Sequence, residues 1–482
     1  MLENFEKVNS VYFVGIGGIA MSACANLAKL KGLEVFGSDS KSVYSPAKDV
    51  LDDNEIGYTI GYAEENIKKH PADLYILSAG EGLENPEAKY IIQNNLPRAG
   101  LAELLYELSR ENLRVVVTGT HGKSTTTAML GHVLKNLDDS SFMAGAVLQN
   151  YHSNFSLGNG HYFVFEGDEY KEQFDDPAPK FHYYKPDILV LTNLEYDHPD
   201  IFESLEALED EFRQLIANLP EDGLIIYNAD DPNLVKLVNE SNVASASFGI
   251  ENEADYKVEN IQYGQYTKFS VINKFSKNLS AKALGLTEDY QIQLPGKLNV
   301  YNALAVVAIL RSLGFQPDQI ALDLVTFTGL KRRFEVIGVK NGVTIIDDYA
   351  HHPTAVRETL EAARLKYFSG LKANSQNQAP KLWAIFEPHT FSRTKATLNE
   401  LSKAFGAADQ VLIAEIYPAR EKVSEATISS SDVVQALGLP ADRKRLVKTK
   451  QEALEILKKE TKEGDVVVVM AVGDFNRLSY EI

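Results

Sequence analysis

One stretch of the sequence combines the residue types that bind phosphate groups. Residues 115–129, VVVTGTHGKSTTTAM, begin with three valines, pass through a glycine-containing turn and continue into a segment that can form a helix. In such a strand–loop–helix unit, the backbone N–H groups of the turn and the positive end of the helix face an anionic ligand. Lys123 is then expected to contact the β- and γ-phosphates of a nucleotide, and the hydroxyl of Ser124 to bind Mg²⁺. Val117 replaces the first glycine of the general pattern, so an ordinary turn with a solvated lysine is the alternative.

Two further predicted strands also end in polar residues. Tyr162–Glu166 runs into a Gly-Asp-Glu sequence, and Ile188–Thr192 is followed by NLEYDH, which ends at His198. Ligands of parallel sheets bind at the carboxyl ends of the strands, so all three strand ends are expected to face one crevice. Mg²⁺ takes oxygen ligands and accepts a histidine, which makes Glu166 and His198 candidates for a metal site with Ser124. A capping or core role is the alternative for His198.

The beginning of the chain carries a second glycine-rich turn. The apolar segment Val11–Val14 is followed by GIGGIA, which is close to a dinucleotide-binding fingerprint with alanine in the last place. A helix and a short strand are expected next, and an acidic residue about twenty positions after the glycines suits a ribose hydroxyl. The candidate binding residues are Gly15, Gly17, Gly18, Ser38 and Asp39. A tight turn with glycines that pack against a helix is the alternative.

Polar residues also follow the strands predicted in the last third of the chain. These strands are Val343–Ile346, Lys381–Phe386, Val411–Ala414 and Val466–Met470. Several cations follow them, and four strand ends of the same kind favour a ligand-binding face over solvated loop charges. Upstream, Asn299 and Asn302 lie on one face of a predicted helix. They are expected either to contact an adenine edge or to cap the helix, which is the commoner role of asparagine.

The composition is that of an ordinary globular protein. The chain has 482 residues, of which 44% are hydrophobic and 24% charged, and this length suggests about three domains. The net charge of −19 argues against binding to nucleic acid or an anionic membrane. The single cysteine, Cys24, excludes an internal disulfide framework and fits a reducing compartment. No apolar run of about 18 residues and no signal-peptide pattern is found, so a cytoplasmic location is expected.

The alternation of strands and helices predicts an α/β fold with three domains. Residues 1–112 are expected to form a Rossmann-like N-terminal domain. Residues 113–330 are expected to form a central nucleotide-binding domain of the P-loop type, with a parallel or mixed sheet. Residues 331–482 are expected to form a Rossmann-like C-terminal domain with its own ligand-binding face. Within it, Ala373–Pro380 has the composition of a surface loop.

Together, these motifs resemble those of the Mur ligases, the ATP-dependent amide ligases of peptidoglycan synthesis. In family order, the sequence contains GIGGIAMS, GTHGKSTT, NLEYDH, GKLNVYN, RRF, DDYAHHPT, EPHTFSRT and a final GD. The resemblance covers nearly the whole chain, and its first-domain and DDYAHHPT motifs are similar to those of the branch that acts on UDP-N-acetylmuramate. One activity of this branch joins L-alanine to the lactyl carboxylate. The other is a recycling activity that attaches the tripeptide L-alanyl-γ-D-glutamyl-meso-diaminopimelate.

The sequence shares features with both activities. Residues 165–202, which include KFHYYKP, resemble the recycling ligase, whereas EPHTFSRTKA and YPARE resemble the L-alanine ligase. A loop with cations and aromatic residues contacts the amine directly, so free L-alanine is the expected substrate. Ala20 and Ala23 replace glycines common in this branch, which would tighten the UDP pocket. No lysine lies between Lys185 and Lys236, so the carbamylated lysine that holds a second Mg²⁺ in several relatives is expected to be absent.

The resemblance implies a role for each domain and each candidate residue. Residues 1–112 would bind the UDP-sugar, the P-loop ATPase-type domain at residues 113–330 would bind ATP, and residues 331–482 would bind the amino acid or peptide. ATP would phosphorylate the lactyl carboxylate to an acyl phosphate, which the amine then attacks, with Mg²⁺ as cofactor. The residues expected at ATP are Gly119, Thr120, Gly122, Lys123, Ser124, Thr125, Asn299, Asn302, Arg333 and Asp348. Catalysis is expected to depend on Lys123, Glu166 and His198, and the metal on Ser124, Glu166 and His198. The glycine-rich turn, with Ser38 and Asp39, is expected to bind UDP. The amine is expected at His352, His389, Arg393 and Tyr417. A monomer or weak homodimer that closes around its substrates is expected.

Two other functions are compatible with parts of the pattern. A nucleotide-gated regulatory protein with a Rossmann-type sensor domain is one, but the polar residues at strand ends in all three predicted domains argue against it. A folylpolyglutamate-type ligase is the other. It would share the central and C-terminal arrangement but lack the N-terminal domain that begins with the glycine-rich turn.

Overall fold

The structure is a computed structural model that describes residues 5–196, 201–275, 286–369, 379–419 and 421–482. Three large β-sheets with helices packed against them follow one another along the chain. The predicted α/β class is therefore confirmed. Among the described residues, every helix is too short or too polar to cross a lipid bilayer.

The first region is a five-stranded parallel sheet in the order β3-β2-β1-β4-β5. Its strands are β1 (Ser10–Val14), β2 (Glu34–Asp39), β3 (Gly57–Ile60), β4 (Leu74–Leu77) and β5 (Arg98–Ala99). Its helices are α1 (Ile19–Leu30), α2 (Ala47–Asp53), α3 (Glu64–Lys69), α4 (Pro86–Gln93) and α5 (Leu101–Leu108). Successive residues of β1 enter different cores: Val11 and Phe13 pack on the side of α1, and Tyr12 and Val14 on the side of α4. Helices therefore cover both faces, as in a doubly wound sheet.

The central region is a ten-stranded mixed sheet in the order β17-β16-β15-β14-β13-β12-β6-β9-β7-β8. Its first strands are β6 (Leu113–Thr118), β7 (Ser141–Leu148), β8 (Ser153–Ser156) and β9 (Tyr162–Glu166), followed by a separate hairpin of β10 (Lys171–Gln173) and β11 (Asp176–Pro179). The remaining strands are β12 (Ile188–Leu191), β13 (Leu224–Asn228), β14 (Ala244–Gly249), β15 (Tyr256–Gln262), β16 (Thr267–Asn273) and β17 (Thr287–Ile292). Its helices are α6 (Lys123–Asp138), α7 (Leu205–Ala217), α8 (Pro232–Asn239), α9 (Lys297–Ser312) and α10 (Pro317–Leu324).

The third region is a six-stranded sheet in the order β18-β19-β23-β20-β21-β22, in which only the pair β18–β19 is antiparallel among the described residues. Its strands are β18 (Glu335–Lys340), β19 (Val343–Asp348), β20 (Leu382–Phe386), β21 (Gln410–Ile413), β22 (Lys444–Leu446) and β23 (Val466–Met470). Its helices are α11 (Pro353–Phe368), α12 (Phe391–Ala396), α13 (Leu398–Leu401), α14 (Ser430–Ala436), α15 (Lys450–Glu460) and α16 (Leu478–Glu481). Most of the predicted surface loop Ala373–Pro380 lies outside the described residues.

The three strands that carry the central motifs are neighbours. β12, β6 and β9 are adjacent and parallel, with Thr118 opposite Leu191 and Val117 opposite Glu166. The loops after these strands therefore leave the sheet at one edge. Val115 and Val117 pack beneath α6 and α9, whereas Val116 faces the opposite core. This alternation holds the strand in place and brings its polar continuation to the edge.

Candidate active site

The edge of the central sheet opens into a cavity of about 820 Å³, and all three regions contribute to its walls. The first region supplies the beginning of α1, including Ile19 and Ala20. The central region supplies the loop before α6, the end of β9 and the beginning of α9. The third region supplies the segment before β18, the loop after β19 and the loop before α12. Ligand pockets typically measure about 300–1,000 Å³, so this cavity is the candidate active site.

The loop between β6 and α6 has the backbone of a phosphate-binding turn. Gly119 and Gly122 have φ angles of 134° and 81°, which residues with side chains rarely adopt. A Cβ on Gly119 would also lie 2.3 Å from Thr192 Oγ1. The helix begins at Lys123, so the first N–H groups of α6, including that of Ser124, have no partner within the helix. Such a helix end attracts an anion.

Lys123 places its ammonium group at the mouth of this loop. Its Nζ donates to Gly119 O at 2.6 Å and to Glu169 Oε1 at 3.1 Å, and its side chain is 13% exposed. Burial alone would lower the pKa of Lys123, but the nearby carboxylates of Glu169, Asp168 and Glu166 outweigh it and raise the pKa. The lysine therefore stays charged where a phosphate would bind.

A pair of oxygen donors lies beside this lysine. Ser124 Oγ donates to Glu166 Oε1 at 2.8 Å, and the N–H of Gly145 donates to Glu166 Oε2 at 2.6 Å. Burial raises the pKa of Glu166, while the charge of Lys123 opposes that rise. A hydroxyl and a carboxylate at this distance are the donors that Mg²⁺ prefers. His198, the third predicted metal ligand, lies outside the described residues, so its role stays a prediction.

The two asparagines of α9 brace the loop. A Cβ on Gly122 would lie 2.4 Å from Asn302 Oδ1, which also accepts a hydrogen bond from Thr126 Oγ1 at 3.2 Å. Asn302 Nδ2 donates to Asn299 Oδ1 at 3.1 Å, and Asn299 Nδ2 donates to Pro295 O at 2.7 Å. Both residues line the cavity, but Asn302 is only 3% exposed and already bonded. Their contact with adenine stays a prediction.

Histidines from two regions meet beside the loop. The rings of His121 and His352 are 4.5 Å apart, and His121 Nε2 lies 3.5 Å from Glu195 Oε2. His121 lowers the pKa of Glu195, although partial burial opposes this change. His352 Nδ1 accepts the N–H of Thr354 at 3.4 Å and so caps α11. The ring of His352 packs against the phosphate-binding loop, and its predicted contact with the amine stays a prediction.

The arginines that follow the central region approach the cavity from the third sheet. The guanidinium groups of Arg332 and Arg333 lie 4.9 and 5.1 Å from the ring centre of Tyr349. Asp348 Oδ2 accepts the N–H of Phe334 at 2.7 Å and ties this segment to the end of β19. Burial raises the pKa of Asp348, and Arg333 opposes that rise. Arg333 and Asp348 therefore line the same cavity as Lys123, and their contact with a nucleotide stays a prediction.

The residues predicted at the amine form a second group on this wall. Arg393 Nη1 lies 3.1 Å from His389 Nδ1, and the ring of His389 stacks on Tyr417 with centres 6.0 Å apart. His351, rather than its neighbour His352, is next to His389, with ring centres 5.5 Å apart. Arg393 and His389 line the cavity, and Tyr417 contacts the ring of His389.

The predicted UDP residues lie at the turn between β1 and α1. Gly15 has a φ of 83°, and the N–H of Gly17 donates to Asp39 Oδ2 at 2.8 Å, while Gly18 precedes α1. Ser38 and Asp39, predicted to follow β2, are its last residues. The Ser38 side chain is completely buried, and its hydroxyl donates to Glu87. The main chain of Ser38 therefore shapes the turn, and its contact with a ligand stays a prediction, as does that of Asp39.

The sequence analysis did not single out two residues that line the cavity, Glu169 and His121, or Glu195, which lies next to His121. Glu169, His121 and Glu195 each belong to a recognised motif, one to three positions from a predicted site residue. Membership of a motif was the only sequence signal for these residues. It could not show which of them face the site, because the direction of each side chain depends on the loop backbone. Thr120 and Thr125, which were predicted, line the same cavity, while Gly119 supplies the carbonyl that accepts from Lys123.

Three family models match consecutive parts of the chain. Residues 10–112 match the model described as Mur ligase family, catalytic domain. Residues 117–310 match Mur ligase middle domain, and residues 332–473 match Mur ligase, glutamate ligase domain.

Individual proteins are similar over nearly the whole length. A UDP-N-acetylmuramate–L-alanine ligase of Acetivibrio thermocellus is 34% identical over 97% of this chain and 94% of its own. The crystal structure of UDP-N-acetylmuramate–alanine ligase from Thermotoga maritima is 26% identical, with a TM-score of 0.76 over 98% of this chain and 97% of that chain. A murein peptide ligase from Psychrobacter arcticus is 25% identical, with a TM-score of 0.70 over the same shares of the two chains.

Proposed function

The chain belongs to the Mur ligase family, and we propose that it joins L-alanine to the lactyl carboxylate of UDP-N-acetylmuramate while ATP is converted to ADP and phosphate. The observation that carries this proposal is the composition of the cavity. A lysine-bearing phosphate loop with an adjacent serine–glutamate pair faces arginines and histidines of another region. Phosphoryl transfer and amide formation need these two groups of residues within one enclosed space.

The phosphate loop fits the triphosphate of ATP. Lys123 and the free N–H groups at the start of α6 would contact the phosphates. Lys123 pairs with Glu169 at 3.0 Å, so this carboxylate holds the ammonium group in position. Arg333, from the third region, would complete the site from the other wall of the cavity.

Mg²⁺ fits the pair formed by Ser124 and Glu166. The pair offers two oxygen donors beside Lys123, at the end of the strand next to the phosphate loop. When bound, the ion neutralises charge on the phosphate oxygens during transfer. Glu166 and Ser124 would hold it from the protein side, and His198 remains the proposed third ligand.

A carboxylate is a poor electrophile in water, so it must be phosphorylated before an amine can attack it. The residues of the cavity suit this two-step reaction. A lactyl carboxylate oxygen attacks the γ-phosphorus, the bond from phosphorus to the β–γ bridging oxygen breaks, and ADP leaves. The amine nitrogen then attacks the acyl carbon and loses a proton. The tetrahedral intermediate collapses, the C–O bond to phosphate breaks, and the amide and inorganic phosphate result. Lys123 would stabilise the negative charge of the transferring group without moving.

UDP-N-acetylmuramate would bind between the first region and the loop. The beginning of α1 lines the cavity through Ile19 and Ala20, so a ligand held at the turn before α1 can extend toward Lys123. Gly17 supplies an N–H at this turn, although Asp39 accepts it in the present structure. Because the reaction consumes ATP and Cys24 is a free, buried cysteine, we also propose a cytoplasmic location.

Free L-alanine is the proposed amine, with Arg393 as the group that binds its carboxylate. The side chain of Arg393 is 5% exposed and is held next to His389 at the cavity wall. An arginine in a fixed position suits a small, planar carboxylate. The high coverage and 34% identity to an L-alanine ligase support this choice. The recycling reaction with the tripeptide is the alternative, and the similarity to a murein peptide ligase supports it.

A competition assay tests the proposal. The full chain is incubated with ATP, Mg²⁺ and UDP-N-acetylmuramate, together with equal concentrations of L-alanine and the tripeptide, and the products are weighed by mass spectrometry. We expect the L-alanine adduct to dominate and ADP to form only when both the nucleotide sugar and an amine are present. Dominance of the tripeptide adduct would assign the recycling reaction, and ADP formation without the nucleotide sugar would refute the ligase.

A further inference from the structure

A cluster of side chains that could bind a metal ion lies at the phosphate loop and includes neither Ser124 nor Glu166. His121, Glu195 and His352 each place one ligand atom within 4.8 Å of the other two. His121 belongs to the phosphate loop, and Glu195 follows β12. His352 is the residue that caps α11. Two regions of the molecule therefore converge on one small space with two imidazoles and one carboxylate.

The side chains in this cluster are already in place. His121 is 9% exposed in its side chain and His352 is 8% exposed overall. His121 Nε2 is buried and makes no hydrogen bond to the described part of the chain, although Glu195 Oε2 lies 3.5 Å away. Glu195 is oriented by Thr354, whose Oγ1 donates to Glu195 Oε2 at 2.9 Å. A buried nitrogen without a hydrogen bond is unfavourable unless another ligand occupies its lone pair.

We propose that His121, Glu195 and His352 form a Zn²⁺ site that joins the central region to the third region. Two histidines and one carboxylate are a common zinc ligand set, which leaves one position for water or a phosphate oxygen. Tetrahedral bonds of about 2.0–2.1 Å place donor atoms roughly 3.3 Å apart, close to the separation of His121 Nε2 and Glu195 Oε2. Mg²⁺ demands oxygen-rich octahedral coordination and is a poor occupant.

The geometry also gives the site a consequence for domain movement. His352 belongs to the loop that joins β19 to α11, whereas His121 belongs to the loop that binds phosphate. A metal bound to both holds the third region against the central one. Zn²⁺ therefore stabilises the arrangement of these two regions that the structure shows, independently of any substrate.

The test measures metal binding to the full-length, chelator-treated protein without nucleotide or substrate. Zn²⁺ competes with a chromophoric chelator to give the affinity, and Co²⁺ reports the ligand field by visible absorption. We expect one Zn²⁺ per chain and a Co²⁺ spectrum of low coordination number. Glu195→Gln and His352→Gln should each weaken Zn²⁺ binding by more than about 100-fold, because loss of a direct ligand exceeds the cost of losing a supporting contact.

Two control variants locate the site. His351→Gln alters the neighbouring histidine, which lines the same cavity but lies outside the cluster, and should retain the wild-type affinity. Glu166→Gln alters the proposed Mg²⁺ position and should also retain it. Zn²⁺ should raise the melting temperature of the wild type and of both controls, but not of the two ligand variants.

Three outcomes would overturn the proposal: no stoichiometric Zn²⁺ binding, wild-type affinity in folded His352→Gln, or an equal loss in His351→Gln. Circular dichroism identifies folded variants, and His121→Gln replaces any variant that does not fold. Because no substrate is present, this result is independent of the ligase assay. Zinc binding without ligation would refute only the proposed function, and ligation without zinc binding would refute only this site.

Discussion

The ion pair between Lys123 and Glu169 explains how a charged lysine is kept ready beside the phosphate loop. Glu169 is 5% exposed, and its carboxylate lies 3.0 Å from Lys123 Nζ. The carbonyl of Gly119 accepts from the same ammonium group, so the side chain is oriented along the loop. A phosphate that enters the loop finds the lysine charged and in position, and little reorganisation is required.

Lys123→Ala should therefore abolish ligation and ATP turnover while the protein stays folded. Loss of one preorganised charge at the transferring group lowers kcat by about 100-fold or more. Initial rates of ADP release and a melting curve measure the two quantities. Lys135→Ala is the matched control, because Lys135 pairs with Asp139 at the other end of the same helix. Turnover near the wild-type rate in Lys123→Ala would remove this lysine from the site.

Glu166→Gln should raise the Mg²⁺ concentration needed for half-maximal activity. The amide keeps a partner for Ser124 but removes the negative charge that binds the ion. His198→Ala should act in the same direction if that residue completes the site. A Mg²⁺ titration of the initial rate is the measurement, with Glu209→Gln as a control whose carboxylate pairs with Lys236 elsewhere. An unchanged Mg²⁺ requirement in Glu166→Gln would contradict the assignment.

L-alanine amide should be a poor substrate if Arg393 binds the carboxylate of free L-alanine. Replacing the charged carboxylate by an amide weakens the charge-assisted pair, and kcat/KM should fall by about 10- to 100-fold. Arg393→Ala should reduce this preference, whereas Arg357→Ala, an exposed arginine on α11, should leave it intact. Equal rates with L-alanine and its amide, or a much faster reaction with the tripeptide, would show that another amine is bound.

For individual residues, the type needed at each site was easier to predict than the partner that each side chain contacts. The order of valines, glycines, lysine and serine indicates the phosphate loop because each type has one favourable position in it. The sequence does not reveal that Asn302 fills the space beside Gly122 or that Ser38 donates to a buried glutamate. These partners come from distant segments, and only the packed fold brings them together.

Among the elements, the hairpin of β10 and β11 connects the first region to the central one. Glu172 Oε1 accepts the N–H of Ala102 at 2.5 Å at the beginning of α5, and Arg98 donates to Gln173 Oε1 at 2.8 Å. A Cβ on Gly100 would lie 2.1 Å from Glu172 Oε1, so this carboxylate occupies space that only glycine leaves open. The hairpin thus packs at the boundary between the first and the central regions.

Glu172 should make the stability of the protein depend on pH. Burial raises the pKa of Glu172 from 4.5 to about 7. Between these values the folded chain keeps a proton that the unfolded chain releases, so the contribution of Glu172 to the free energy of unfolding decreases as the pH rises from 4.5 to 7. Urea unfolding at several pH values measures this slope. In Glu172→Gln the side chain is neutral at every pH. The free energy of unfolding of this variant should therefore decrease less between pH 4.5 and 7 than that of the wild type.

Asp175→Asn is the control for this comparison. This variant removes the partly exposed ion pair between Asp175 of the hairpin and Arg98. The buried carboxylate of Glu172 stays unchanged. The variant should keep the wild-type slope. An identical slope in Glu172→Gln and the wild type would show that Glu172 is ionised in the folded protein over this range.

The elements that the sequence predicted well are those with a continuous apolar pattern. The predicted strands Tyr162–Glu166 and Val466–Met470 coincide with β9 and β23. The hairpin was not predicted, because the three residues of β10, Lys-Glu-Gln, have neither alternation nor β-branched side chains. Its strands form through contacts with each other and with the first region.

Across the whole molecule, the packing suggests which parts move. One apolar core contains residues of both the first and the central regions, such as Phe13 and Leu189. The third region has separate cores, and polar contacts such as Thr354 to Glu195 join it to the central region at the cavity. Polar interfaces within a chain open more readily than apolar ones. Closure of the third region over bound substrates is therefore expected, and the boundaries at residues 112 and 330 remain predictions.

The sequence alone could not predict how the three regions face one another. Each sheet follows from local periodicity, but their relative positions depend on contacts between loops that are far apart in the chain. The motifs nevertheless place polar residues at strand ends in every region. The cavity brings many of these residues together, including Lys123, Arg333 and Arg393.

Transfer of oxygen from the nucleotide sugar to phosphate tests the central claim most directly. UDP-N-acetylmuramate labelled with ¹⁸O in its lactyl carboxylate is incubated with ATP, Mg²⁺, L-alanine and the protein, and the inorganic phosphate is analysed by mass spectrometry. If the carboxylate is phosphorylated and then displaced by the amine, each phosphate released with an amide product carries one oxygen from the labelled carboxylate. Phosphate without label, or phosphate release with no amide product, would contradict the account.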